Sequence, residues 1–178
     1  MILLTQNIIT IKIKSFKKEI VHYTSNNATF TVNYFYNDTL LIATRSEHKD
    51  DEMEFKYIGK YRYTSENKLK ESSLAQLYID METNDTITNT LEVKNYDEKQ
   101  LVTTSKLSDY VTPTQSKHYI FTYDDEMIIE IKEYDAKNSL ISTIKNTYQF
   151  DQFDNWIKKE SSQNGRLDHI LTREITYK

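Results

Sequence analysis

The sequence predicts an all-β protein: an antiparallel up-and-down meander of about a dozen strands, in two-strand repeats of about 27 residues, curled into a barrel or half-barrel. Three observations predict it. Tyr36, Tyr63, Tyr96, Tyr123, Phe150 and Tyr177 are spaced 27, 33, 27, 27 and 27 residues apart, and a fixed period of this size marks a repeat architecture. Two positions earlier stand Tyr34, Tyr61, Lys94, Phe121, Tyr148 and Ile175, with Phe35, Arg62, Asn95, Thr122, Gln149 and Thr176 between the columns. Apart from Lys94 this reads apolar, mostly polar, apolar, the alternation of a half-buried strand. Finally, fourteen Tyr and seven Phe accompany many Thr, Ile and Val, which is strand chemistry.

Taken in order, Ile9, Ile11 and Ile13 alternate with Thr10, Lys12 and Lys14 in a first strand. Phe16 to Tyr23 and Thr29 to Tyr36 continue the meander. A second strand of each repeat carries the marker column Ile42, Leu69, Val102, Ile129 and Trp156. The best-formed unit runs from Tyr119 to Tyr123, turns at Asp124-Asp125-Glu126, and returns from Met127 to Tyr134. A three-residue loop pairs Tyr123 with Met127, Phe121 with Ile129 and Tyr119 with Ile131. The same register pairs Tyr148 with Trp156, Tyr61 with Leu69 and Tyr34 with Ile42. Loops of odd length keep these partners on one face.

With only Pro113, Gly59 and Gly165 available, the turns rely on Asn and Asp. Asn37, Thr64, Asp97, Asp124 and Asp151 follow the aromatic column, where short polar side chains bond the backbone two residues on. The longer gap between Tyr63 and Tyr96 adds an even number of residues, assigned to a loop at Asp80-Met81-Glu82-Thr83-Asn84-Asp85. Glu71 to Tyr78 has some helical character, but the repeat predicts strand. Ser108 to Gln115 reads as a loop and Asn164-Gly165 as a turn.

At 178 residues the chain is one domain, 1–178, long enough for a core. Leaving the aromatic face in water forfeits the main driving force for folding, so the sheet is expected to curl over it. The net charge of −4 argues against a nucleic-acid partner and suits a basic protein partner. The absence of cysteine removes disulfides and thiol chemistry. The start, Met1 to Gln6, has no basic and apolar leader pattern, and no later run is long enough to cross a membrane. The expectation is a cytoplasmic protein by default, unless a leader has been removed.

The segment Tyr148-Gln149-Phe150-Asp151-Gln152-Phe153-Asp154-Asn155-Trp156-Ile157-Lys158-Lys159 resembles the tyrosine-aspartate (YD) hairpin repeats of Rhs-type proteins and of many Bacteroidota proteins. Asp154 stands where that pattern usually has glycine. Tyr96-Asp97 and Tyr123-Asp124 match more loosely, and Tyr36-Asn37 and Tyr63-Thr64 are degenerate. The resemblance implies a β-meander scaffold over roughly residues 30–178 and brings no catalytic residue. Rhs proteins build large shells around toxins, and this chain is too short for one.

No candidate chemistry outweighs a structural explanation. His22, His48, His118 and His169 form no i, i+4 pair and have no convergent ligand set. His118 falls out of phase with the aromatic face and is expected to face solvent. The acidic turns Asp124-Asp125-Glu126 and Asp151 to Asp154 lack the spacing of an EF-hand loop. No Gly-x-Ser-x-Gly elbow or glycine-rich phosphate loop occurs. No catalytic residue, metal or cofactor is assigned. Phe121, Tyr123, Tyr148 and Trp156 are the ligand-binding candidates, on condition that a groove exists; otherwise they fill the core.

The reading that follows is a non-catalytic interaction protein, in its narrower form an immunity-type protein that neutralises a toxin. The alternative is a carrier holding a lipid or other apolar molecule in an aromatic-lined half-barrel. A module that self-associates through its edge strands comes next, and an enzyme last.

Overall fold

The computed structural model describes residues 7–13, 16–23, 28–49, 54–79 and 86–177. Thirteen antiparallel strands follow one another in a single sheet, each paired with its neighbours in sequence. They are β1 (Asn7–Ile13), β2 (Phe16–Tyr23), β3 (Ala28–Asn37), β4 (Leu40–Lys49), β5 (Glu54–Tyr63), β6 (Leu69–Ile79), β7 (Thr86–Tyr96), β8 (Val102–Asp109), β9 (Lys117–Asp124), β10 (Met127–Tyr134), β11 (Leu140–Phe150), β12 (Trp156–Gln163) and β13 (Arg166–Thr172). One 3-10 turn, Pro113–Gln115, sits between β8 and β9 inside the stretch expected to be a loop. Residues 71–78 are strand, as the repeat required. The loop expected at 80–85 lies outside the described residues.

The sheet is open, with β1 and β13 as its edges, so it is the open form of the expected meander and not a closed barrel. The paired registers bring the ring columns to one face. Tyr61, Ser72, Lys94, Ser105, Tyr119, Glu133 and Ser142 form one row across seven strands. Tyr34, Tyr36, Tyr63, Tyr96, Phe121, Tyr123, Tyr148 and Phe150 share the face of that row, because they alternate in phase with its members. The other face carries the row Ala43, Lys60, Ser73, Val93, Lys106, His118 and Tyr134.

This aromatic face is not a covered core. Among the described residues, contacts between strands run only between sequential neighbours, so no second layer lies over the sheet. Ile79 is the one buried hydrophobic residue described. The buried polar positions are Ser46, Ser105, Ser142, Asn146 and Ser161. A short side chain in a row of long ones is shaded by its neighbours; Ser105 lies between Lys94 and Tyr119. Rings therefore lie half-buried against one another along the face.

The expected hairpin registers need correction. Tyr123 lies opposite Ile128, Phe121 opposite Ile131 and Tyr119 opposite Glu133. Tyr148 faces Lys159, Tyr61 faces Ser72, and Tyr34 faces Thr44. The causes are two: the loops have two or five residues rather than three, and the second strand of each of these hairpins carries a single-residue bulge. Ile42, Lys70, Thr103, Ile129 and Ile157 are the extra residues left unpaired where the registers of β3–β4, β5–β6, β7–β8, β9–β10 and β11–β12 shift. A bulge changes which face the following residues take and increases local twist. The loops are likewise of two kinds: two residues at Asp38-Thr39 and Asp125-Glu126, five at 64–68, 97–101 and 151–155. Only the five-residue loops have the odd length expected.

Candidate interaction surface

The five-residue loops repeat one design. In each, the first residue's N–H donates to the fifth residue's carbonyl, and the fourth residue's N–H donates to the first residue's carbonyl. The pairs are Thr64/Lys68 with Asn67/Thr64, Asp97/Leu101 with Gln100/Asp97, Asp135/Ser139 with Asn138/Asp135, and Asp151/Asn155 with Asp154/Asp151. The first residue's side chain also accepts backbone N–H groups. Asp135 Oδ1 accepts from Lys137 and Ser139 at 2.9 and 2.8 Å. Asp151 Oδ1 accepts from Phe153 and Asn155 at 2.9 and 3.0 Å. Whereas Asn37 and Asp124 are paired residues that end β3 and β9, at Thr64, Asp97 and Asp151 the polar residue after the aromatic opens the turn, as the sequence indicated. Asp135 belongs to the same set; the dipeptide Tyr134-Asp135 was the signal for it.

The fourth residue of each five-residue loop has positive φ, at Asn67, Gln100, Asn138 and Asp154. So does the first residue of each two-residue turn, at Asp38, Asp125 and Asn164. Asn and Asp tolerate this region better than other non-glycine residues, which lets a chain with two glycines close so many hairpins.

The tyrosines of the repeat do more than present rings. Tyr63 Oη donates to the Leu41 carbonyl at 2.8 Å, Tyr123 Oη to Val102 at 2.9 Å and Tyr148 Oη to Ile128 at 3.0 Å. Each acceptor is the residue just before a bulge on the preceding strand. Asn146 Nδ2 shares the Ile128 carbonyl at 2.8 Å, and Ser161 donates to Asn146 Oδ1 at 2.7 Å. In the unit between, Gln100 bonds both the N–H and the carbonyl of Leu69. Partial burial pushes the hydroxyls of Tyr63, Tyr123 and Tyr148 upward from their ordinary pKa.

Of the four ligand-binding candidates, Phe121, Tyr123 and Tyr148 lie half-buried on the aromatic face, while the half-buried Trp156 pairs with Phe150 at the end of β11. Two have a cation over the ring: the Arg173 guanidinium lies 4.2 Å from the Trp156 ring centre and Lys159 Nζ 6.0 Å from that of Tyr148. Between the ring clusters runs a polar strip. Ser105 donates to Glu92 at 2.8 Å, and Glu133 receives Lys117 at 2.5 Å and Tyr119 at 3.3 Å. Burial, followed by the charge on Glu133, raises the Tyr119 hydroxyl.

The four candidates line neither of two grooves formed by described residues. One of about 550 Å³ lies between the loops at 64–68 and 97–98, with Lys70 and Tyr96. One of about 380 Å³ involves Lys106, Lys117, His118 and Asp135. His118 lies opposite to the aromatic face, half-buried and stacked on Tyr134 at 5.6 Å rather than free in solvent. His48 lies 6.5 Å from the Phe30 ring, and His169 Nδ1 is 2.7 Å from Asp168. Among the described residues no group of three or more His, Asp or Glu side chains is placed to hold a metal, and no helix is long and apolar enough to cross a membrane. A scan against protein-family models and a search of curated proteins found no match to this chain.

Proposed function

We propose that this is a non-catalytic binding protein whose open β-sheet docks a protein partner on its aromatic face. One observation carries the reading: rings from the repeat columns lie together on a face that, among the described residues, no second layer covers. Leu74, Tyr78 and Phe150 on that face are 45, 38 and 49% exposed. Exposed apolar surface bordered by polar groups is where proteins bind one another, and tyrosine supplies contact area at low entropic cost. The strip of Glu92, Lys94, Lys117 and Glu133 crosses the same face and gives a partner a charge pattern to match. The net charge of −4 favours a basic partner. The narrower reading, an immunity-type protein that neutralises a toxin, rests on that charge, the small size and the YD-like hairpins.

Native mass spectrometry of the protein isolated from its natural host tests this. A second polypeptide at fixed ratio is the expected result. A lipid adduct transfers the reading to a carrier. A bare chain, or copies of this chain alone, overturns it.

A further inference from the structure

Strand β13 closes the described sheet with an open edge, and every residue from Arg166 to Thr172 is exposed. The N–H of Arg173 donates to the Ile157 carbonyl of β12 at 3.0 Å. Since backbone groups alternate in direction along an antiparallel strand, Leu171 also turns its N–H and C=O toward β12. Ile170 and Thr172 then turn theirs outward. The edge thus offers two adjacent outward residues, each with a free donor and a free acceptor.

We propose that β13 pairs antiparallel with the β13 of a second copy, about a two-fold axis at Leu171. Ile170 of each copy then lies opposite Thr172 of the other, and each pair exchanges two N–H···O=C bonds. Leu171 meets Leu171 as a non-hydrogen-bonded pair, the closer kind of cross-strand neighbour.

Three features select a second copy and this register. The stretch His169-Ile170-Leu171-Thr172 contains no lysine, arginine or carboxylate, so the net charge of −4 is not concentrated at the seam. Ile170 and Leu171 are 45 and 48% exposed, leaving apolar surface for the seam to remove from water. The bulge at Asp168, where the β12–β13 register shifts, falls outside a seam centred on Leu171 but inside one centred on Ile170. The two-fold axis also keeps both aromatic faces on the same side, since Leu171 lies opposite Lys159, which lies opposite Tyr148. The inference is independent of the docking proposed for the face, because it uses the edge.

A four-bond seam with a few apolar side chains falls below the ~1,200 Å² of a stable interface. The dimer is therefore weak, with a midpoint on the order of 100 µM. Sedimentation velocity between about 10 µM and about 1 mM is expected to show a concentration-dependent dimer. Ile170→Pro removes an outward N–H without breaking the β12 ladder and is expected to raise the midpoint at least about tenfold. The chain has no cysteine, so single cysteines report the register. Leu171→Cys is expected to form an interchain disulfide under mild oxidation, and Ile170→Cys to form it much more slowly. A monomer throughout the range overturns the proposal, as does an Ile170→Pro midpoint equal to that of the parent. Cross-linking by Ile170→Cys as fast as by Leu171→Cys overturns the register. If Ile170→Pro fails to fold, sedimentation and the cysteine pair still decide.

Discussion

The hydroxyl of Tyr63 on β5 donates to the carbonyl of Leu41 on β4 at 2.8 Å, beside the bulge at Ile42. A bulge interrupts the ladder and leaves backbone polar groups without strand partners. Tyr123 at Val102 and Tyr148 at Ile128 do the same two and three hairpins on. At these three positions the ring covers the face and the hydroxyl satisfies the carbonyl beside the bulge.

It follows that Tyr63→Phe and Tyr123→Phe each destabilise the protein, although the ring is kept. The loss is about 1 kcal/mol per site, the net value of one such hydrogen bond. Urea unfolding measures it as a lower midpoint with unchanged slope. Neither Tyr36→Phe nor Phe121→Tyr is an equivalent control, the latter because its column mate Tyr148 reaches the carbonyl beside a bulge. Equal midpoints for Tyr63→Phe and the parent would show that the bulge carbonyl needs no partner.

The strands and their shared face could be read from the sequence because both depend on period-two alternation, which the columns at Tyr34/Tyr36 and Tyr61/Tyr63 display directly. The bulges could not. Their extra residues, Ile42, Lys70, Thr103, Ile129 and Ile157, are ordinary strand and surface types with nothing to distinguish them. The marker column hid the difference as well. Ile42 and Ile129 are the bulged residues after two-residue turns, while Leu69, Val102 and Trp156 are paired residues after five-residue loops. After the five-residue loops the bulge falls one position further from the ring column than after the two-residue turns, and the 27-residue spacing does not reveal it. The missing second layer was illegible for another reason: alternation shows which side chains share a face, but not what covers them.

Loop substitutions at positive φ are expected to have opposite signs at two equivalent positions. Asp154 has φ 59 and Gln100 has φ 67. Asp154→Gly relieves the left-handed cost of about 1–2 kcal/mol for a residue with a Cβ, offset by about 0.5–1 kcal/mol of glycine entropy. A small gain in the urea midpoint is expected. Gln100→Gly relieves the same conformation but loses the side chain that bonds Leu69 N–H at 2.7 Å and the Leu69 carbonyl at 3.3 Å. A net loss is expected there. Stabilisation at both sites would mean that the Gln100 bonds contribute nothing.

The segment after β13 is tied down by charge. The Tyr177 hydroxyl donates to Asp151 Oδ2 and receives Asn155 Nδ2 at 2.8 Å, while Arg173 Nε donates to the Trp156 carbonyl. The Tyr177 bond, the Phe153 and Asn155 N–H groups and Arg173 lower the Asp151 carboxyl below its ordinary value of 3.8. A depressed folded-state pKa adds stability above the unfolded value, and that contribution is lost as pH falls through the folded one. The Tyr177 hydroxyl is raised above its ordinary value of 10.0, chiefly by the bond to Asp151. Its contribution is present below 10.0 and lost as pH rises through the folded value. Carbon-13 titration of the Asp151 carboxyl should give a midpoint below 3.8 in the parent and a return toward that value in Tyr177→Phe. An unshifted midpoint in the parent would remove the clasp.

Gly59 gives the sharpest test of the sheet's register. It is buried on the aromatic face opposite Thr44, and a Cβ placed there would stand 2.3 Å from Thr44 Oγ1 and 3.3 Å from Tyr61 Oη. Threonine is stiff about χ1, so the hydroxyl cannot withdraw without a change of rotamer or a shift of the strand. Gly59→Ala is expected to cost about 1–3 kcal/mol, the range for overpacking. The Thr44 Cβ itself would lie at an ordinary 3.6 Å, so Thr44→Ala removes the clash and keeps the contact. The double substitution should recover most of the loss, giving a coupling of about 1–2 kcal/mol in a double-mutant cycle. Additive effects of the two changes would place Gly59 and Thr44 out of contact, and with them the pairing of β4 and β5 on which the shared aromatic face depends.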